Sequence, residues 1–132
     1  MGRVEAWETR EWFQEFLESL NRHDPEAVRE FLAPDVRRAP LPAGADAWLD
    51  DYADLVRGFP DWQWRRIQIV VEEDRLAVHL RGSGTHTGIF RHLPPTRRRV
   101  SIAAFAMYRV TRGRIVEASG TDDAEAIRAA AL

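Results

Sequence analysis

Apolar residues recur along this chain at two different periods, and the change between them divides it. Over residues 5–20, EAWETREWFQEFLESL, the positions Trp12, Phe13, Phe16, Leu17 and Leu20 fall at helical spacing, with an acidic face opposite. The run Asn21-Arg22-His23-Asp24-Pro25 breaks that pattern. Asp24 suits an N-cap and Pro25 a first helical position, so a short second helix is expected, with Ala27, Val28, Phe31 and Leu32 on one side. Ala33-Pro34-Asp35 ends it, Val36 to Ala39 reads as a short strand, and Pro40, Pro42 and Gly44 mark a loop. Residues 45–57, ADAWLDDYADLVR, predict a third helix that turns Trp48, Leu49, Tyr52, Leu55 and Val56 inward, with Gly58 in the C′ position.

After Phe59-Pro60-Asp61 the period drops to 2. Residues 62–72, 75–86 and 98–110 read as strands, with a tight turn at Glu73-Asp74, and Thr111-Arg112-Gly113 leads into a fourth, RIVEASG. The alanine-rich tail from Asp122 to Leu132 reads as a helix. Helices followed by strands indicate an α+β fold. Three N-terminal helices on a strongly curved antiparallel sheet, with a short C-terminal helix, would make a cone. Gly82, Gly84 and Gly88 are where such a sheet could bend or bulge. The stretch from Gly82 to Val100, GSGTHTGIFRHLPPTRRRV, is expected to shape the mouth of the cavity.

Composition narrows the classes. A chain of 132 residues is one domain, 1–132, large enough for a core with room for a pocket. A formal net charge of −2 gives no electrostatic footprint for nucleic acid or an anionic membrane. Arg97-Arg98-Arg99 begins a strand and has no wider basic stretch around it in sequence. Without cysteine there is no disulfide or thiolate chemistry. No apolar run approaches the ~20 residues of a membrane span, and the first residues carry no apolar signal core. The expectation is a soluble cytoplasmic protein. No histidine–carboxylate set has metal-site spacing, no serine has nucleophile-elbow flanks, and no phosphate-loop or dinucleotide glycine pattern occurs. Five tryptophans are many for this length, and each can serve core, interface or the wall of a pocket for a flat ligand.

Several islands resemble the SnoaL-like polyketide cyclase family, within the cone-shaped NTF2-like superfamily. They are Asn21 to Pro25, Ala33-Pro34-Asp35, Phe59-Pro60-Asp61, Glu73-Asp74-Arg75, Tyr108-Arg109-Val110, Arg112-Gly113 and Arg114-Ile115-Val116-Glu117. The most specific is Gly84-Thr85-His86-Thr87-Gly88-Ile89-Phe90 followed by Leu93-Pro94-Pro95-Thr96. The resemblance implies an apolar pocket in the open end of a cone and a homodimer packed through the outer sheet face. It also implies acid–base chemistry on a hydrophobic carbonyl compound without metal or cofactor: cyclisation, isomerisation or dehydration. Other members of the superfamily hydroxylate without a cofactor, and some have no known chemistry. In the cyclases the last strand runs Glu-His-Trp-Asp, with that Asp as acid and base. Here Glu117-Ala118-Ser119-Gly120 stands in its place, so Gly120 occupies the position of the acid.

Candidate catalytic residues follow from that departure. Asp122 has the strand parity of Gly120 and can replace the missing base, or it can be the N-cap of the last helix with Glu125 at its third position. Asp123 reads as a first-turn helix acid. His86 can bond a substrate carbonyl or secure the bend through backbone groups. His79 shares a face with Ala77 and Arg81, opposite Leu76, Val78 and Leu80. If the first face lines the cone, His79 is a polar group on its floor; otherwise it lies outside. Trp48, Tyr52, Phe59, Trp62, Phe90, Phe105, Met107 and Tyr108 are the candidate substrate-binding residues. The two functional classes left open are a cofactor-free enzyme and a binding or accessory module of the same fold.

Overall fold

A computed structural model describes residues 5–132; the first four residues, where the N-terminal reading begins, lie outside it. The element order is α1 (Ala6–Asn21), α2 (Pro25–Arg29), β1 (Leu32–Arg37), α3 (Ala45–Gly58), β2 (Gln63–Glu72), β3 (Arg75–Thr85), β4 (Arg99–Thr111), β5 (Arg114–Gly120) and α4 (Asp123–Ala131). The strands form one curved mixed sheet in the order β1-β5-β4-β3-β2. The meander β2 to β5 is antiparallel, and β1 adds to its edge in parallel with β5. Among the described residues no helix is long and apolar enough to cross a membrane.

The helical periodicity is realised where it is strongest. Phe13, Phe16 and Leu17 of α1 are buried, and Asp24 caps α2 by accepting the Ala27 N–H at 3.2 Å. α2 is shorter than the sequence pattern predicts. Phe31 and Leu32 leave the helix because the Phe31 carbonyl accepts the Ile115 N–H at 2.8 Å, which starts the parallel ladder. The strand therefore runs through Ala33-Pro34-Asp35 instead of beginning at Val36. A proline is admissible there because β1 is an edge strand.

Leu76, Val78 and Leu80 of β3 face the helices, as do Ile102, Ala104 and Tyr108 of β4, all of them buried. Leu76, Val78, Leu80, Ala104 and Tyr108 close over Phe13, Phe16, Leu17, Leu49 and Tyr52 to form the main core. A second core forms at the far end, where Phe59, Trp62, Phe90, Val100 and Ile102 meet Ile127 and Ala131 of α4. Gly82 and Gly84 carry no bulge in the β3–β4 ladder, whose register is unbroken from Arg75 to Thr85; the irregularities fall between Leu32 and Arg37, between Arg66 and Gln68 and between Arg109 and Val110. A Cβ on Gly82 would collide with the rings of Trp62 and Trp64, and one on Gly84 with Trp62, so these glycines let the indoles pack close against the strand.

Candidate functional site

The last strand ends at Gly120, and α4 starts three residues later. Asp122 is the N-cap of α4: its Oδ1 accepts the Glu125 N–H at 3.1 Å, and the side chain is exposed. The capping geometry engages the carboxylate that the strand parity of Gly120 had made a candidate base. Gly120 itself leaves no room for a side chain. A Cβ there would collide with the Phe105 carbonyl oxygen and lie 2.9 Å from the Ala106 Cα.

Asp123 is the carboxyl that turns inward. It is half-buried, and the Thr121 hydroxyl donates to its Oδ1 at 2.7 Å. That hydroxyl also accepts the Phe105 N–H at 3.1 Å, so the acid is tethered to the backbone of β4. Burial raises the Asp123 pKa above the ordinary carboxylate value of 3.8, and the charge of Asp122 adds to the rise, while the Thr121 hydrogen bond opposes it. Its charge reaches Tyr108, 8% exposed, whose phenol is pushed well above its usual value of 10 by burial first and by the Asp123 charge second. The phenol therefore stays protonated at any physiological pH, which makes it a donor.

Aromatic rings enclose Tyr108. Phe13 stacks at 6.3 Å between centroids, Phe16 meets it edge-on at 6.1 Å, and Trp48 stands at 6.2 Å, half-buried at the margin. Tyr52 faces the same core. Its hydroxyl donates to the Leu20 carbonyl at 2.8 Å, and burial, helped by the charge of Asp24, raises its pKa to about 12. The structure thus brings Trp48, Tyr52 and Tyr108 together on the helix side of the sheet, with Asp123 at the edge.

The remaining candidates are elsewhere. His86 is fully buried in the second core, stacked on Phe59 at 5.0 Å, with Trp62 and Phe90 against the same ring. The Thr96 backbone N–H donates to His86 Nδ1 at 3.1 Å, and the Thr96 hydroxyl lies 3.0 Å from the same nitrogen. His86 also exchanges backbone hydrogen bonds with Arg97 and Arg98. Within the stretch expected to shape a cavity mouth, His86, Phe90 and Val100 are buried while most of residues 87–99 are exposed. His86 Nε2 and Trp62 Nε1 are buried without a hydrogen-bond partner among the described residues. His79, Phe105 and Met107 stand on the opposite face of the sheet from the helices, with His79 stacked on Phe105 at 4.4 Å. The alternation of β4 separates Phe105 and Met107 from Tyr108 by parity, a signal present in the sequence. Among the described residues no three His, Asp or Glu side chains gather as a metal site would require.

The fold and these islands have relatives. The family model for the SnoaL-like polyketide cyclase matches residues 8–130. The chain belongs to this family. It is similar to IdmH from Streptomyces antibioticus, described as a candidate polyketide cyclase: 30% identical, covering 91% of this chain and 95% of that one, with a TM-score of 0.75. It is also similar to AclR from Streptomyces galilaeus, described as a candidate hydroxylase: 25% identical over 89% of this chain and 79% of that one, TM-score 0.80. TsrD from Streptomyces laurentii shares the fold at 19% identity, covering 98% and 99% of the two chains, TM-score 0.84. No curated protein matches the chain. The curved sheet with its helices is the NTF2-like cone that the family resemblance implies.

Proposed function

We propose that this protein is a cofactor-free acid–base enzyme acting on a flat, hydrophobic carbonyl compound of polyketide type. The observation that supports this most is an inward, desolvated carboxyl, Asp123, at the edge of the aromatic cluster whose buried, protonated phenol, Tyr108, feels its charge. Removing a proton beside a carbonyl needs a base and a donor for the enolate oxygen that forms. Asp123 supplies the base, with a pKa raised toward its working range. Tyr108 supplies the O–H. The aromatic side chains around Tyr108 offer flat apolar faces to the ring system of such a substrate. Return of the proton at a different carbon gives isomerisation; attack of the enolate on a second carbonyl of the same molecule gives cyclisation.

Exchange of carbon-bound hydrogen with solvent deuterium tests the step common to these reactions. With 2-tetralone in D2O, followed by proton NMR, the protein should accelerate exchange. Asp123→Asn should lose about 10²–10⁴-fold of that rate, and Asp122→Asn should keep it. Equal rates for the wild-type protein and Asp123→Asn would remove the proposal. Similarity to AclR favours cofactor-independent hydroxylation as the second reading. Uptake of dioxygen in the presence of a flat phenolic ketone would select it. A ligand recovered unaltered after long incubation would select the binding-module reading.

The outer sheet face supports a partner. Val70, Phe105 and Met107 are 56%, 52% and 49% exposed and lie around His79. We infer that a second copy of the chain covers this patch. Sedimentation should give a dimer that Phe105→Glu dissociates; a monomeric wild-type protein overturns this.

A further inference from the structure

Beyond the apolar patch, toward the other end of the same face, the sheet carries a different surface. Gln63 and Arg65 of β2, Arg81 and Ser83 of β3, and Arg99 and Ser101 of β4 line a groove of about 440 Å³. Its pattern follows from register. Arg65 stands directly opposite Arg81, and Ser83 directly opposite Ser101. Like charges facing one another across a ladder are destabilising. Nothing else on the chain relieves this pair, since neither Arg65 nor Arg81 meets a carboxylate among the described residues. Arg99 does meet one, Asp61, at 3.4 Å. Asp61 also accepts the Thr85 N–H through its other oxygen at 2.8 Å, so it is partly committed to the backbone.

The hydroxyls are already oriented. Arg81 Nη1 donates to Ser101 Oγ at 2.9 Å, and Arg99 Nη2 donates to Ser83 Oγ at 3.3 Å. Each serine oxygen thus accepts from a guanidinium, and each hydroxyl proton remains free to donate outward. The groove combines three forked cations, two free O–H donors and one neighbouring acid, which leaves two positive charges unbalanced.

We propose that this groove is an anion site for a terminal phosphate group. Its surplus charge matches the −1.5 to −2 that such a group carries at pH 7, and guanidinium forks match its oxygens in pairs. The bound anion would sit over Ser83 and Ser101 and relieve the repulsion between Arg65 and Arg81. Its source is either free inorganic phosphate or the phosphate of an organic molecule. The site does not depend on the acid–base reading, because it lies on the face of the sheet away from Asp123 and Tyr108.

Amide NMR titration with inorganic phosphate and, separately, with phenyl phosphate tests this, at pH 7 and at ionic strength held constant with sodium chloride. The expected result is saturable shifts at Arg81, Ser83 and Ser101. Tighter binding of phenyl phosphate would assign an organic monoester, and equal or weaker binding would assign the free anion. Arg81→Gln should weaken binding at least tenfold, and Arg81→Lys by less, because it keeps the charge and loses the fork. Arg65→Gln should also weaken it while raising the melting temperature of the unliganded protein, which a purely structural arginine would not do. Shifts that fail to saturate, or that chloride alone reproduces, overturn the proposal. So does phosphate binding that is unchanged in Arg81→Gln, or a change in the monomer–dimer equilibrium on Arg81→Gln with no phosphate binding in the wild-type protein.

Discussion

Gly120→Asp would return a carboxylate to the place where the family resemblance puts one, and the structure predicts that it fails. The obstacle is the first atom of the side chain. A Cβ at this position would overlap the Phe105 carbonyl oxygen and sit 2.9 Å from the Ala106 Cα, inside the ~3.5–4.0 Å of ordinary carbon contact. Both neighbours are backbone of the central strand β4, so a rotamer change cannot relieve the overlap. The end of β5 would have to lift away. Overpacking of this kind costs about 1–3 kcal/mol. Lifting also stretches the hydrogen bond from Thr121 N–H to the Phe105 carbonyl, now 2.9 Å, at about 0.5–1.5 kcal/mol. The loss is then roughly 1.5–4.5 kcal/mol. With ~2.1 cal/mol/K of unfolding entropy per residue over the 132 residues of this chain, that corresponds to a fall in Tm of about 5–16 °C. Scanning calorimetry of the wild-type protein, Gly120→Ala and Gly120→Asp measures it. Most of the loss should already be present in the alanine variant, and deuterium exchange into 2-tetralone should not rise in either. A Gly120→Asp protein as stable as wild type, or faster in exchange, would refute the argument that this strand end excludes an acid.

Other substitutions separate the two neighbouring aspartates. Asp122→Ala removes the N-cap of α4 and should lower stability by about 1 kcal/mol in a denaturant melt, with exchange retained; a loss of exchange without loss of stability would return the base to Asp122. For Asp123 the sign runs the other way. Its folded pKa is raised above 3.8, so the protonated form is favoured in the folded state, and stability is lost as pH rises from the unfolded value through the folded one. Asp123→Asn lacks this loss, and its melting temperature relative to wild type should therefore be higher at pH 7 than at pH 3.5; a constant difference would mean the carboxyl is not desolvated. Phe16→Ala should cost about 3–5 kcal/mol, because the ring is fully buried among Phe13, Phe31, Trp48 and Tyr108.

Much of the fold is legible locally. The caps at Asp24 and Asp122, the turns at Glu73-Asp74 and Arg112-Gly113, and the periods of α1, α3 and the four long strands are set by residues a few positions apart. The family follows from the same islands. The site was less legible. Asp123 reads as a helix-start acid, and nothing within α4 distinguishes it from Asp122. It becomes the inward carboxyl because the strand end is held against Phe105 through Thr121, whose hydroxyl takes the Asp123 side chain as its acceptor. His86 lies in the most specific motif, yet its surroundings come from Phe59 and Thr96, 27 and 10 residues away.

The sequence by itself determined the elements, their order and the family, since spacing and capping act between near neighbours and need no partner. Only the tertiary structure decided which face of the sheet meets the helices, and with it what His79, Phe105 and Met107 face. An alternating strand presents two faces, and helices elsewhere in the chain choose between them. The same holds for the acid. A carboxyl is perturbed by what buries it, and here that is the turn after Gly120, held against β4 through Thr121, which forms only when the sheet closes.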